Sequence, residues 1–268
     1  WVHRSGEFYK ERPVVIYEYQ KGRDHEKPLE FYRNYKGVLV TDSLEQYHLL
    51  DKKLPGVTNA NCWAHARRAF ADAVKAADKK DPLSVKNSMA YQALQKIAEF
   101  YRIDTELKEL PAPDRLTQRQ TRIKPLVEDF FAWVKQQAAE CAVPPKSRTG
   151  QGLNFVIHQE NYLKVFLTDG DIPIDNSASE RAIRTFCIGK KNWMFHNTAK
   201  GAGASALVYS ISETAKLNNL RPYYYFRYIL TELPKYCDEK GNIDPAKLDQ
   251  LMPWAEELPE ECRKPRRS

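Results

Sequence analysis

Gly37-Val38-Leu39-Val40-Thr41-Asp42 is a short, apolar, β-branched run that closes on a carboxylate. A run of this length without polar alternation fits a strand buried on both faces, as in a parallel sheet covered by helices. Its reading sets the fold class as α/β and puts Asp42 at the carboxyl end of a central strand. Open α/β sheets carry their functional crevice at such strand ends. A plainer reading stands beside it, in which Asp42 only caps the following turn. Downstream, Val57-Thr58-Asn59-Ala60-Asn61-Cys62 reads as a second strand that runs into a helix through Trp63, Phe70 and Val74. Upstream, Trp1-Val2-His3-Arg4 and Val14-Val15-Ile16-Tyr17-Glu18-Tyr19 read as a hairpin, with Ser5-Gly6 as a turn signal. Asp24 is placed to cap a helix carrying Leu29, Phe31 and Tyr32 that ends before Gly37.

The pattern changes after residue 71. In residues 72–145 apolar residues recur at helical spacing: Ala90, Leu94, Ile97, Ala98 and Tyr101, then Leu126, Phe130, Trp133 and Val134. Pro111 and Pro113 separate two long helices, and Pro144-Pro145 ends the second. This segment reads as an all-helical insertion between a first core part, residues 1–71, and a second, residues 146–234. Residues 147–168 are expected to be helical, as is a stretch from Val208 to Leu217 and another that starts at Pro222. Residues 235–268 read as a polar tail, with the basic end from Arg263 to Ser268 expected to be disordered.

The formal net charge of +7 favours polyanionic partners, nucleic acid first. No apolar run approaches the ~20 residues of a membrane span, so no membrane partner is expected. The five cysteines, Cys62, Cys141, Cys187, Cys237 and Cys262, are odd in number and include no CxxC pair, which points to reduced thiols and a cytoplasmic setting. Cys62 and His65 have a CxxH spacing, but no second ligand pair matches it, and a zinc site is not favoured. The chain starts at Trp1, and the expectation is a fragment or a processed product.

Asp171-Ile172-Pro173-Ile174-Asp175-Asn176-Ser177-Ala178-Ser179-Glu180-Arg181-Ala182-Ile183-Arg184 combines a turn, a helix start and one glutamate among cations. Ser177-x-x-Glu180 is also a capping-box pattern, in which Glu180 folds back to the Ser177 amide. A strand-end aspartate and a helix glutamate can instead converge on a hard divalent cation, Mg²⁺ or Mn²⁺. Arg67, Arg68, Arg181, Arg184, Lys190 and Lys191 then suit a DNA backbone, with His65, Asp175 and Asn176 as supporting residues.

At this point the sequence resembles the IS66-family transposases. The resemblance lies in the run from Gly37 to Asp42, in Cys62-Trp63-Ala64-His65-Ala66-Arg67-Arg68, and in the stretch from Ile174 to Arg184. It continues in Ile188-Gly189-Lys190-Lys191-Asn192-Trp193, in the run from Ser210 to Asn218, and from Pro222 to Leu230. The resemblance implies a ribonuclease-H-like core, a mixed sheet with flanking helices, interrupted by an all-helical insertion. It implies a DDE triad with Asp42 as second acid and Glu180 as third, both binding Mg²⁺ or Mn²⁺. The activity it implies is DNA strand cleavage and strand transfer. The implied partners are transposon ends, target DNA, further copies of the full-length protein, and other element-encoded proteins, in a nucleoid-associated bacterial setting. The first acid belongs to a strand preceding the one that begins at Trp1; that strand and acid are expected to be missing, leaving the 268 residues inactive alone. Glu7, Glu11 and Asp24 do not sit in the family's pattern. A non-catalytic DNA-binding remnant or accessory protein is the alternative from another class. A nuclease of RNA–DNA hybrids is a weaker one, since no motif indicates a hybrid preference.

Overall fold

The computed structural model describes residues 1–22, 26–78, 82–141 and 143–265. The fold is mixed α/β and mostly helical, with four short strands among the described residues: β1 (Val2–Arg4), β2 (Val15–Tyr17), β3 (Gly37–Thr41) and β4 (Val57–Asn61). The chain forms two compact units, one of Asp24–Ser177 and one of Trp1–Arg23 with Ala178–Ser268.

In the first unit β3 and β4 pair in parallel, from Gly37 opposite Val57 to Thr41 opposite Asn61. Parallel neighbours need a crossover, supplied here by the helix Glu45–Lys53, which the sequence reading did not foresee. The chain re-enters β4 through Gly56 at φ +90°, a conformation that favours glycine. The helix Trp63–Asp78 follows and runs past residue 72 without a break. Trp63 is the hub of the core: its ring meets Phe100, Phe130, Phe131 and Phe166, and its Nε1–H donates to the Leu163 carbonyl at 2.8 Å. The apolar periodicity of the sequence becomes the helices Met89–Glu106 and Lys124–Glu140, which bury Ile97, Phe100, Val127, Phe130 and Val134. The second is entered through a π turn, Arg119–Ile123, that follows the helix Ala112–Gln118. Residues 147–168 form helices Arg148–His158 and Glu160–Leu163 and a 3-10 turn, Val165–Leu167.

The second unit is built on the hairpin of β1 and β2, antiparallel with Val2 opposite Tyr17. The free edge of β2 is satisfied by hydroxyls of a helix. The Thr214 Oγ1 accepts from the Val15 N–H and donates to its carbonyl, both at 3.0 Å, and the Ser210 Oγ accepts from the Tyr17 N–H at 2.8 Å. That helix, Ala199–Leu217, starts earlier than the Val208 start predicted from sequence. Its alanine- and glycine-rich first turns follow Thr198, whose Oγ1 accepts from the Gly201 N–H at 3.0 Å. Val15, Tyr17, Ala182 and Ala206 form one small core with Phe186 and Tyr209. Ala215, Leu220, Tyr225, Ala255 and Leu258 form another. The latter uses part of the expected tail: Arg221 N–H donates to the Cys262 carbonyl and Lys264 N–H to that of Asn219, so Arg263 and Lys264 lie in hydrogen-bonded chain rather than a loose end. The cap expected at Asp24 and the last basic residues, 266–268, lie outside the described residues.

Candidate active site

Asp42 follows directly on β3 and is half-buried. The next residue, Ser43, has φ +68°, a left-handed conformation unusual for a non-glycine residue, so the backbone is strained where it leaves the strand. Asp42 Oδ1 accepts from the Leu44 N–H at 3.4 Å, a long contact that only weakly supports the turn-cap reading. Burial, and then the Asp42 charge, push the Tyr47 phenol well above its ordinary range.

Beneath Asp42 lies a polar relay that the sequence reading missed. The Thr41 hydroxyl donates to Asn59 Oδ1 at 3.0 Å, Asn59 Nδ2 to Asn61 Oδ1 at 3.1 Å, and Asn61 Nδ2 to Gln159 Oε1 at 2.8 Å. His48 Nε2 stands 3.3 Å from Asn61 Nδ2, and its ring stacks on Tyr162 with centroids 4.4 Å apart. Thr41, Asn59 and Asn61 are buried, and a satisfied buried network makes the strand ends rigid. The available signal was Asn59 and Asn61, poor strand formers on one face of an expected buried strand.

The loop ahead of Glu180 is held from several sides within the first unit. Arg119, fully buried, pairs with Asp104 at 2.8 Å and donates to the carbonyls of Phe166, Asp169 and Ile172. Arg115 donates to the Gly170 carbonyl at 2.7 Å. Trp63 N–H donates to the Ile174 carbonyl, and Asn176 N–H to Cys62 Sγ at 3.4 Å. Burial pushes the Cys62 thiol up to about 11, as expected of a packed thiol. Asp175 has two partners: Oδ2 accepts from Tyr101 Oη at 3.0 Å and Oδ1 from the Ser177 N–H at 2.9 Å. The Tyr101 phenol is raised first by burial, then by the Asp175 charge, with the Arg67 charge acting in the opposite direction. The amide that a capping box assigns to Glu180 is thus engaged by Asp175.

Glu180 lies half-buried in the first turn of the helix Ser177–Trp193. Arg181 is exposed and pairs with Glu7 at 2.9 Å, so Glu7 has an ion-pairing role. Arg184, Lys190 and Lys191 are exposed on the same helix. Arg67 and Arg68 are exposed on Trp63–Asp78, with His65 half-buried beside them. Asp42, His65, Arg67, Arg68, Asp175 and Asn176 belong to the first unit, and Glu180, Arg181, Arg184, Lys190 and Lys191 to the second. Among the described residues, no group of three or more His, Cys, Asp or Glu side chains is arranged to hold a metal ion. No helix among them is long and apolar enough to cross a membrane.

Comparison with known proteins gives the chain a family. Residues 1–204 match the family described as "Transposase IS66 family", and residues 210–254 match the "IS66 C-terminal element". Three curated proteins of Sinorhizobium fredii (strain NBRC 101917 / NGR234) are similar. The "Uncharacterized protein y4hP" is 28% identical over 249 residues, 90% of this chain and 44% of the relative. The "Uncharacterized protein y4qI" is 27% identical over 90% of this chain and 43% of its own length, and the "Uncharacterized protein y4jD" 26% over 90% and 45%. The chain spans less than half the length of these relatives. No solved structure matches. The family match takes in β3, β4, the loop from Asp171 and the Glu180 helix, and this chain belongs to the IS66 family of transposases.

Proposed function

We propose that this chain supplies the catalytic part of a DNA transposase that cleaves and joins strands by phosphoryl transfer, with Asp42 and Glu180 as two acids of a set of three. The observation that carries the reading is the family match over residues 1–204, which includes both acids. Asp42 supports it by standing at the carboxyl end of a parallel strand before a strained residue. In this reading the core is ribonuclease-H-like, and residues 72–145 are an insertion into it.

Carboxylate oxygens are the donors that Mg²⁺ or Mn²⁺ prefers, so Asp42 and Glu180 suit the metal that the family implies. When bound, such ions activate the attacking oxygen and stabilise the leaving one. The protein's own part is positional. The relay through Thr41, Asn59 and Asn61 fixes the end of β3, and Asp175 fixes the helix start ahead of Glu180. Arg67, Arg68, Arg181, Arg184, Lys190 and Lys191 hold backbone phosphates. In cleavage, water attacks a phosphodiester phosphorus, leaving a 5′-phosphate as the 3′-hydroxyl departs; in strand transfer that 3′-hydroxyl attacks a target phosphorus, joining to the target's 5′-phosphate as the target strand's P–O3′ bond breaks and its own 3′-hydroxyl leaves. The full-length protein acts as a multimer on paired element ends.

Mn²⁺ titration of the chain, followed by calorimetry, tests the acids. Asp42→Asn and Glu180→Gln are each expected to weaken binding about tenfold or more. Binding unchanged in both variants rejects the assignment. A second reading, a non-catalytic DNA-binding protein, draws on the +7 charge. It predicts a salt-dependent DNA shift that is unaffected by Asp42→Ala, Glu180→Ala or metal removal.

A further inference from the structure

From Arg181 to Ser212 the sequence contains five Lys or Arg residues and no Asp or Glu. In the middle of this stretch, the turn between helices Ser177–Trp193 and Ala199–Leu217 leaves Phe195 71% and Met194 64% exposed. Exposed apolar side chains found singly need no explanation, but an adjacent aromatic–methionine pair held out by a rigid base does. The base is rigid. The Trp193 and His196 rings lie tilted against each other with centroids 4.3 Å apart, Trp193 meets Phe186 at 5.2 Å, and Phe186 packs on Tyr209 and Tyr17. Met194 is held at φ +63°, with its N–H donating to the Lys190 carbonyl at 2.7 Å, and Phe195 N–H donates to the Trp193 carbonyl at 2.8 Å. The inner rings of the turn are thus anchored in the small core, and the outer two side chains are presented to solvent.

Lys190 and Lys191 are exposed on one side of the turn and Lys200 on the other. The helix that begins at Ala199 adds the positive end of its dipole on the same side as Lys200. A partner for this tip must therefore carry dense negative charge and offer a flat apolar face. Nucleic acid does both, because every base has a stacking face between phosphates. An acidic protein surface would match the charge but offers no regular stacking face.

We propose that this turn is a DNA-reading tip, in which Phe195, backed by Met194, stacks on an unpaired or distorted base while Lys190, Lys191 and Lys200 hold the flanking phosphates. The inference rests on the reading of this protein as DNA-acting and adds the form of DNA that it prefers. Side chains of this kind that enter a base step unstack it locally.

The test uses the whole 268-residue chain and two synthetic duplexes of one sequence. One is fully paired; the other carries a single unpaired 2-aminopurine. Binding is followed by anisotropy, and stacking by 2-aminopurine fluorescence. The wild type is expected to prefer the duplex with the unpaired base and to change its fluorescence. Phe195→Ala is expected to weaken binding to that duplex by roughly 5–100-fold, with little change on the paired duplex. Phe195→Trp restores the preference. Lys190→Ala, Lys191→Ala and Lys200→Ala weaken binding to both duplexes and lower the salt slope by about 0.9 each. Phe195→Ala behaving like the wild type on both duplexes overturns the tip while leaving DNA binding standing. Absence of salt-dependent binding to either duplex overturns the proposed function and the tip together. Loss of self-association in Phe195→Ala, with the DNA preference intact, overturns the tip in favour of an interface between copies.

Discussion

Asp175 shows how much one side chain can organise. Its carboxylate accepts the Tyr101 hydroxyl on one oxygen and the Ser177 amide on the other, all within the unit of Asp24–Ser177. A hydrogen bond to a charged group contributes about 1.5–3 kcal/mol. Tyr101→Phe is therefore expected to lower the stability of the unit by about that amount, read as a shift in the urea midpoint with an unchanged slope; no shift would mean that the hydroxyl is dispensable. Cys62 gives a second check at this scale. Its thiol is buried and raised to about 11, whereas Cys141 and Cys187 are exposed. Near pH 8 a disulfide-exchange reagent is expected to label Cys141 and Cys187 in the native protein, and Cys62 only after unfolding. Fast native labelling of Cys62 would contradict the packing described for the loop from Asp171 to Ser177.

Among the elements, β2 depends on a helix for the hydrogen bonds that a third strand would ordinarily provide. Thr214→Val keeps the shape but deprives the Val15 amide and carbonyl of their partner. Leaving such groups buried and unsatisfied costs about 1–3 kcal/mol. Faster hydrogen exchange at Val15 is the expected signature, with amides of β3 and β4 unaffected; equal acceleration in both hairpin and parallel pair would show a global effect instead. This scale also separates what the sequence reveals from what it hides. β3, with Asp42 at its end, is readable because a continuous apolar run has few alternatives. The helices of residues 89–140 are readable from their period. The helix Glu45–Lys53 is not, because its polar sequence takes its place mainly from the need for a crossover between parallel strands. Nor are the hydroxyl contacts of Ser210 and Thr214, since these depend on residues distant in sequence. Glu180 is easily picked out as an acid among cations, but its neighbours in the sequence do not say what Asp175 does.

For the whole molecule, two compact units imply that a single transition is not guaranteed. The unit of Asp24–Ser177 has its own aromatic core around Trp63, and the other has two small clusters of its own. Differential scanning calorimetry is expected to give a measured enthalpy above the van't Hoff value, the mark of departure from two-state unfolding. Equal enthalpies would show the two units melting as one. The contrast in core size further predicts that the unit with the smaller clusters melts first, which amide exchange of β2 against β4 during heating can read.

The hydroxyl contacts of β2 have one more consequence, for the order in which the chain is made. Ser210 and Thr214 lie 193 and 199 residues after the strand residues that they satisfy. At ribosomal speeds of about 5–20 residues per second, the hairpin must wait roughly 10–40 s for its partners to be synthesised. Throughout that interval the whole segment of Asp24–Ser177 is being translated and can collapse on its own core. A nascent hairpin with an open edge is then a natural target for a holding chaperone, and slow or stalled translation between Ser177 and Thr214 would lengthen its exposure to misfolding.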